Sequence, residues 1–561
     1  MADEIYHVEV KRKFRRSDGQ NELRWVVRPV ADVITEESPE YRCKDCYGKV
    51  KLHGKNVANG PAPHAEHRSR QGLRILPRGN VLPPKSRTYT KTFAQPNRIM
   101  ISTVQQESAP ETTTDLKQLA HDLVLRAMSG GATAAECVIR EGDEFSTLVR
   151  LGQVETLKEA GSKSIGLRVF RGQRAASTHS SDFSREGLDR MLNSALELAK
   201  ITSEDPFGGI PEPSQLGSLS GDLDLYSPDV YSLPGEERIS YARRAEKAAL
   251  DSDPRIKNSE GGSFDAATGH KILANSHGFI GEYQRSYCSV AAVPIAQDEK
   301  GAMQRDYWYS VARNLDRLES PEHIGKMAAQ RALRRLGARK VKTQHVPVVL
   351  DPLVATSILQ HLFEGVNGDS VYRGASFLAG KLGQAIAAPN VTVIDDGTIV
   401  GGFGTSPFDG EGIPTRRTVV IEKGLLNSYL LNTYTAKKLG LQTTANASRR
   451  LAGTPGIGPG NYFLQQGART PPQLIGDVKE GLYVTEFLGM GVNLVTGDYS
   501  RGASGLWISG GELTYPVEEI TVAGNLKDMF MNISEIANDL EFRGAVASPT
   551  IRIDGLTVGG E

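Results

Sequence analysis

The chain has 561 residues, 39% hydrophobic and 24% charged, with 59 glycines and 28 prolines; it is too long for one hydrophobic core and too apolar for global disorder. Its 66 basic and 66 acidic side chains cancel, but residues 1–99 carry 20 Lys/Arg against 11 Asp/Glu, which leaves the remainder mildly acidic. No run nears the roughly 18–20 apolar residues of a membrane span, the first residues lack the apolar core of a signal peptide, and four cysteines make no disulfide framework, so a cytoplasmic location is expected.

Residues 1–77 form a basic extension. Cys43 and Cys46 are spaced as a CxxC turn, His53 follows, and His64 and His67 stand as HxxH. Two thiolates and two imidazoles satisfy the tetrahedral preference of zinc, so a closed structural site at Cys43, Cys46, His64 and His67 is expected, with His53 as the alternative ligand. The 17 residues between the pairs lie just outside the finger spacing, and the local sequence resembles small zinc-ribbon modules. A saturated site of this kind stabilises a fold and leaves no open position for chemistry. Solvated surface charge explains the basic residues more simply than nucleic-acid binding does. Residues 78–113, rich in Pro, Ser and Thr and without a sustained period, read as a linker that contains Met100.

Residues 114–205 open on Thr114 or Asp115 as a helix cap, with Leu116, Leu119, Ala120, Leu123 and Ala127 at helical spacing and Gly130 as the stop. Short β-rich runs follow, then a second helix capped by Ser184. Residues 214–338 repeat the mixture, with a helix around EERISYARRAEKAALDS, a strand meander and the helix HIGKMAAQRALRRLG. Residues 345–560 hold glycine-bounded strands that outnumber helices, and no 20–50-residue internal repeat is present. The expected class is α+β, multidomain, with mixed or antiparallel sheets, flanking helices and a β-rich C-terminal domain.

Five blocks, GDSVYRGASFLAGKLG (368–383), TSPFDGEGIPTRR (405–417), LNSYLLNTYTAKKLGL (426–441), GDYSRGASGLW (497–507) and YPVEEITVAGNLKDMF (515–530), occur in the order and spacing of the TldE (PmbA) branch of the TldD/PmbA family. The GQVE turn at Gly152–Glu155, the GLRVF strand and the TSEDP loop extend the resemblance over residues 112–560. It implies one subunit of a two-part metallopeptidase for unfolded peptides, with the metal and the general base held by a TldD-like partner. The resemblance also carries an older description as gyrase modulators.

The TldD branch carries HExxxH on a helix, where two histidines share a face toward zinc and the glutamate serves as base. This chain reads LQHLFEGVNGDS at the matching place, which leaves His361 and Glu364, two ligand types where catalytic zinc takes three. They are expected at an interface or along a peptide channel. So are Asp498, Tyr499, Ser500 and Arg501, set among glycines in a loop that either contacts substrate backbone or turns a sheet corner with Asp498 and Arg501 paired. Ser500 lacks the context of a nucleophile elbow. Asp409 and Glu411, two apart between Pro and Gly, read as a solvent-exposed or domain-contacting turn. No catalytic residue and no cofactor of the main body is assigned. The rival reading is a non-enzymatic scaffold whose N-terminal zinc module touches nucleic acid.

Overall fold

The computed structural model describes residues 115–560 in full and, before them, only the backbone of the strands His7–Arg15, Asn21–Pro29, Tyr41–Cys43, Val50–His53 and His64–His67. The chain divides into two compact units, Met1–Ala109 and Pro110–Glu561. In the first, His7–Arg15 pairs antiparallel with Asn21–Pro29 and Tyr41–Cys43, while Val50–His53 and His64–His67 form a hairpin that sets His53 opposite His64 and Val50 opposite His67. Cys46, the linker 78–113, Met100 and Thr114 lie outside the described residues, as do the side chains of Cys43, His53, His64 and His67.

The second unit begins with helix α1 (Leu116–Ser129), capped by the Asp115 carboxylate, which accepts from the Lys117 and Gln118 N–H groups at 2.9 and 3.3 Å. Three antiparallel strands follow, β1 (Ala134–Arg150), β2 (Gln153–Arg171) and β3 (Arg174–Ser180), and then helix α2 (Arg185–Ile201), capped by Ser184. The pattern recurs as helix α3 (Gly235–Leu250), strands β4 (Ile256–Asn275), β5 (Ile280–Gln297), β6 (Met303–Arg305) and β7 (Trp308–Ala312), and helix α4 (Pro321–Leu333), which Ser320 caps.

Both runs share one sheet, ordered β6-β5-β4-β1-β2-β3, with β7 also on β5. Each run is a helix, strands and a helix, and the two meet where β1 pairs antiparallel with β4, Glu141 opposite His270. The order mirrors itself about that seam. Because side chains alternate along a strand, Cys137 and Ile139 face α1 and α2 while Phe145, on the same face of β1, reaches α3 and α4. Between the helix pairs lies a polar cleft of 470 Å³ lined by Glu141, Asp143, Lys163, His270 and Gln284 among others.

The opposite face carries the C-terminal domain. There Phe408 packs with Val138, Leu273 and Phe279, and Arg449 reaches the buried Glu136 carboxylate at 2.6 Å, beside Arg168 at 3.0 Å. In that domain β8 (Gln344–Leu350) runs parallel to β9 (Glu480–Leu488), which pairs antiparallel with β10 (Asp498–Ser509), and β10 in turn with β11 (Glu512–Asn525). β11 pairs with β12 (Ile551–Gly559), and β12 pairs back onto β8, so the sheet closes on itself. A second sheet holds Leu425–Leu426, Arg417–Glu422, Val393–Asp396, Asn461–Leu464 and Val546–Ala547. Helix α5 (Pro352–Val366) packs in one hydrophobic core with strands of both sheets. The class is α+β with antiparallel and mixed sheets, as its residues imply.

Candidate functional site

Helix α5 starts at Pro352 after Asp351, whose carboxylate accepts from the Leu353 N–H at 3.1 Å. Proline suits this first position because its missing N–H is one the helix leaves unpaired anyway. Val354, Ala355, Ile358, Leu359, Leu362 and Phe363 enter the core. The remaining face carries Ser357, Gln360, His361 and Glu364.

His361 turns its ring edge to Tyr499, with centroids 6.1 Å apart at 68°, and its Nε2 is buried without a partner among the described residues. Burial, with a smaller push from the Arg501 charge, lowers its pKa to about 4, so it is neutral near pH 7. Glu364 is exposed and forms no ion pair among the described residues. One helical turn therefore separates the two chemically as well as along the chain. Among the described residues no three His, Cys, Asp or Glu side chains come together to hold a metal.

The Asp498–Arg501 block is the start of strand β10 rather than a loop. Asp498 is exposed and accepts from Thr496 Oγ1 at 2.6 Å and Asn525 Nδ2 at 3.2 Å, and these hydrogen bonds hold its carboxyl below the usual range. Tyr499 is 2% exposed, and its hydroxyl has no partner among the described residues. Ser500 faces solvent, and its N–H donates to the Gly491 carbonyl at 2.7 Å. Arg501 does not pair with Asp498: its Nε donates to the Gly489 carbonyl at 3.0 Å, its Nη2 to the Phe487 carbonyl at 3.4 Å, and its guanidinium lies over the Phe487 ring at 5.2 Å. The strand thus gathers His361, Tyr499, Phe487 and Arg501 and sends Asp498 and Ser500 elsewhere.

Beside Arg501 opens a 240 Å³ pocket whose walls come from β6, the segment after α4, the first turns of α5, and β9, including Arg305, Tyr307, Arg335, Ser357 and Phe487. None of these five carried a local signal in the sequence, because the pocket exists only once five separated segments converge.

The Asp409–Glu411 turn contacts the long sheet, but its carboxylates are buried rather than exposed. Asp409 accepts from the N–H groups of Glu411, Ile413 and Ala447 at 2.8, 3.1 and 3.0 Å. Glu411 accepts from the Thr433 N–H at 2.9 Å and hydroxyl at 2.6 Å. Burial raises both pKa values, that of Glu411 to about 7 with the Asp409 charge adding to the effect. Asp409 bonds within the turn and to Ala447, and Glu411 bonds to Thr433, so these groups close the turn and tie it to the segments that follow.

Three consecutive regions match family models: residues 135–199 the first PmbA/TldA metallopeptidase domain, residues 228–336 the central domain and residues 343–560 the C-terminal domain. The metalloprotease PmbA of Escherichia coli O157:H7 is 37% identical over 454 residues, 81% of this chain and 98% of that protein. The chain belongs to the PmbA/TldD metallopeptidase family. A PmbA homologue of Haemophilus influenzae is 34% identical over 80% of the chain and 96% of its own length. A solved structure from Bacteroides thetaiotaomicron, of a proposed DNA-gyrase modulator, is 28% identical with a TM-score of 0.74, covering 80% of this chain and all of that one. TldE from Thermococcus kodakarensis shares the fold, with a TM-score of 0.71 at 19% identity over 78% of this chain and 99% of its own. No helix among the described residues is long and apolar enough to cross a membrane.

Proposed function

We propose that the chain is the TldE-like subunit of a two-part metallopeptidase, in which a TldD-like partner supplies the metal and the general base and this subunit helps hold an unfolded or extended peptide. The observation that carries the reading is the state of α5: His361, half-buried, is neutral against Tyr499 while Glu364 faces solvent, so the helix presents no converging ligands. Peptide holding is supported by the first half of β2, residues 153–163, which pairs with β1 on one side and with no other described strand, because β3 reaches only residues 165–171. An open edge offers backbone N–H and C=O groups to an extended chain of almost any sequence. The structural zinc at Cys43, Cys46, His64 and His67 remains part of the proposal for the N-terminal unit.

The test is cleavage of an unstructured peptide by the purified chain alone and after co-expression with a TldD-like subunit, with and without chelator. Chelator-sensitive cleavage is expected only with the partner. The same cleavage by the isolated chain would overturn the reading.

A further inference from the structure

We propose that the pocket beside Arg501 receives the C-terminal carboxylate of the bound peptide, with the Arg501 guanidinium as its counter-charge. The inference rests on the peptide-holding reading and names which end of the peptide the subunit recognises.

The charges around the pocket are mostly committed. Arg335 lies 2.8 Å from Glu486, Arg305 lies 3.2 Å from Glu260, and Asp306 is held by Arg331 at 3.3 Å. Arg501 is the exception, since no described carboxylate lies within ion-pair distance of it. Its two hydrogen bonds to main-chain carbonyls and its stacking on Phe487 fix the plane of the guanidinium, whose charge has no ionic partner among the described residues. A pre-oriented guanidinium without an ionic partner is the usual protein partner of a planar carboxylate.

Size and lining point the same way. The volume of 240 Å³ is below the roughly 300–1,000 Å³ of sites for whole drug-sized ligands, so it suits a chain end. Leu353, Val354 and the Phe487 ring give the terminal side chain an apolar wall. One guanidinium without an ionic partner balances one negative charge.

The experiment measures binding of fluorescein-labelled, unstructured ten-residue peptides to the full chain by anisotropy. One peptide without Asp or Glu is made as the free acid and as the C-terminal amide, and a third is an amide with a penultimate Glu. The free acid is expected to bind at least tenfold tighter than both amides, and Arg501→Gln is expected to bring the ratio of acid to amide affinity to about one. Equal binding of acid and amide by the wild-type chain, which needs no variant, would overturn the inference and leave the peptide-holding reading standing. Tight binding of only the Glu-bearing amide would overturn it in favour of an acidic side-chain site. Failure of all three peptides to bind would overturn the peptide-holding reading, and the inference with it.

Discussion

The Glu136 carboxylate lies 2.6 Å from the Arg449 guanidinium, 313 residues further along the chain, and both side chains are nearly inaccessible to solvent. Glu136 sits on β1 and Arg449 in the C-terminal domain, so this pair fastens the long sheet to the rest of the body. Burial alone would raise the Glu136 pKa, but the charges of Arg449 and Arg168 outweigh it and keep the group ionised. Removing one member of a buried pair strands the other charge, at a cost of about 3–5 kcal/mol. Glu136→Gln is therefore expected to lower the free energy of urea unfolding by about 3 kcal/mol, and a loss under about 1 kcal/mol would contradict this role.

Gly166 tests the same contact through shape. A Cβ on Gly166 would lie 1.8 Å from the Leu451 carbonyl oxygen, a main-chain atom that has little room to retreat. Gly166→Ala should cost about 1–3 kcal/mol, as over-packing does. Thermal unfolding measures it, and Gly172→Ala, where no atom lies within 4 Å but φ is +59°, separates backbone strain from collision.

Asp395 gives a pH dependence with a definite sign. It is 2% exposed, and burial raises its pKa to about 7 despite a 2.7 Å hydrogen bond from Asn446. A carboxyl with a folded pKa above its unfolded value of about 3.9 binds its proton more tightly in the folded chain. Its contribution to stability is thus full below about pH 4, falls as pH rises to about 7, and is flat above. Asp395→Asn cannot titrate. Relative to wild type it should gain about 2–3 kcal/mol between pH 5 and pH 8, read from denaturant unfolding at each pH, and a pH-independent difference would refute the assignment.

For the N-terminal unit, about one zinc per chain is expected by elemental analysis after growth in zinc-replete medium, and Cys43→Ser should abolish it. The backbone register that sets His53 opposite His64 makes the choice among His53, His64 and His67 the informative one: variants of the two true histidine ligands lose metal and the third keeps it. Chelation should unfold residues 1–99 and leave the transition of the body unchanged. A chain starting at Met100 should likewise keep that transition, and loss of cooperative unfolding would show that the two units depend on each other.

Local signals in the chain were enough for the four helices that pack on the long sheet. Asp115 and Ser184 cap where their side chains allow, and apolar residues three and four apart mark the buried faces, because capping and periodicity act over a few neighbouring residues. The ordered blocks between residues 368 and 530 likewise sufficed for the family, and the wording LQHLFEGV for the departure from HExxxH. Tertiary structure alone decided the rest. The mirrored sheet seam at Glu141 and His270 has no trace as a short repeat, since two unlike sequences can satisfy the same helix and strand layers. Burial of Asp409 and Glu411 depends on N–H groups at Ala447 and Thr433, which only a folded loop brings near. Asp498 and Arg501, three residues apart, could have paired at a sheet corner, yet strand alternation sends the two to different surroundings and sets Arg501 beside Arg335 and Phe487. Neighbours in space across more than a hundred residues follow from sheet register and domain docking, and neither is encoded in any short window of sequence.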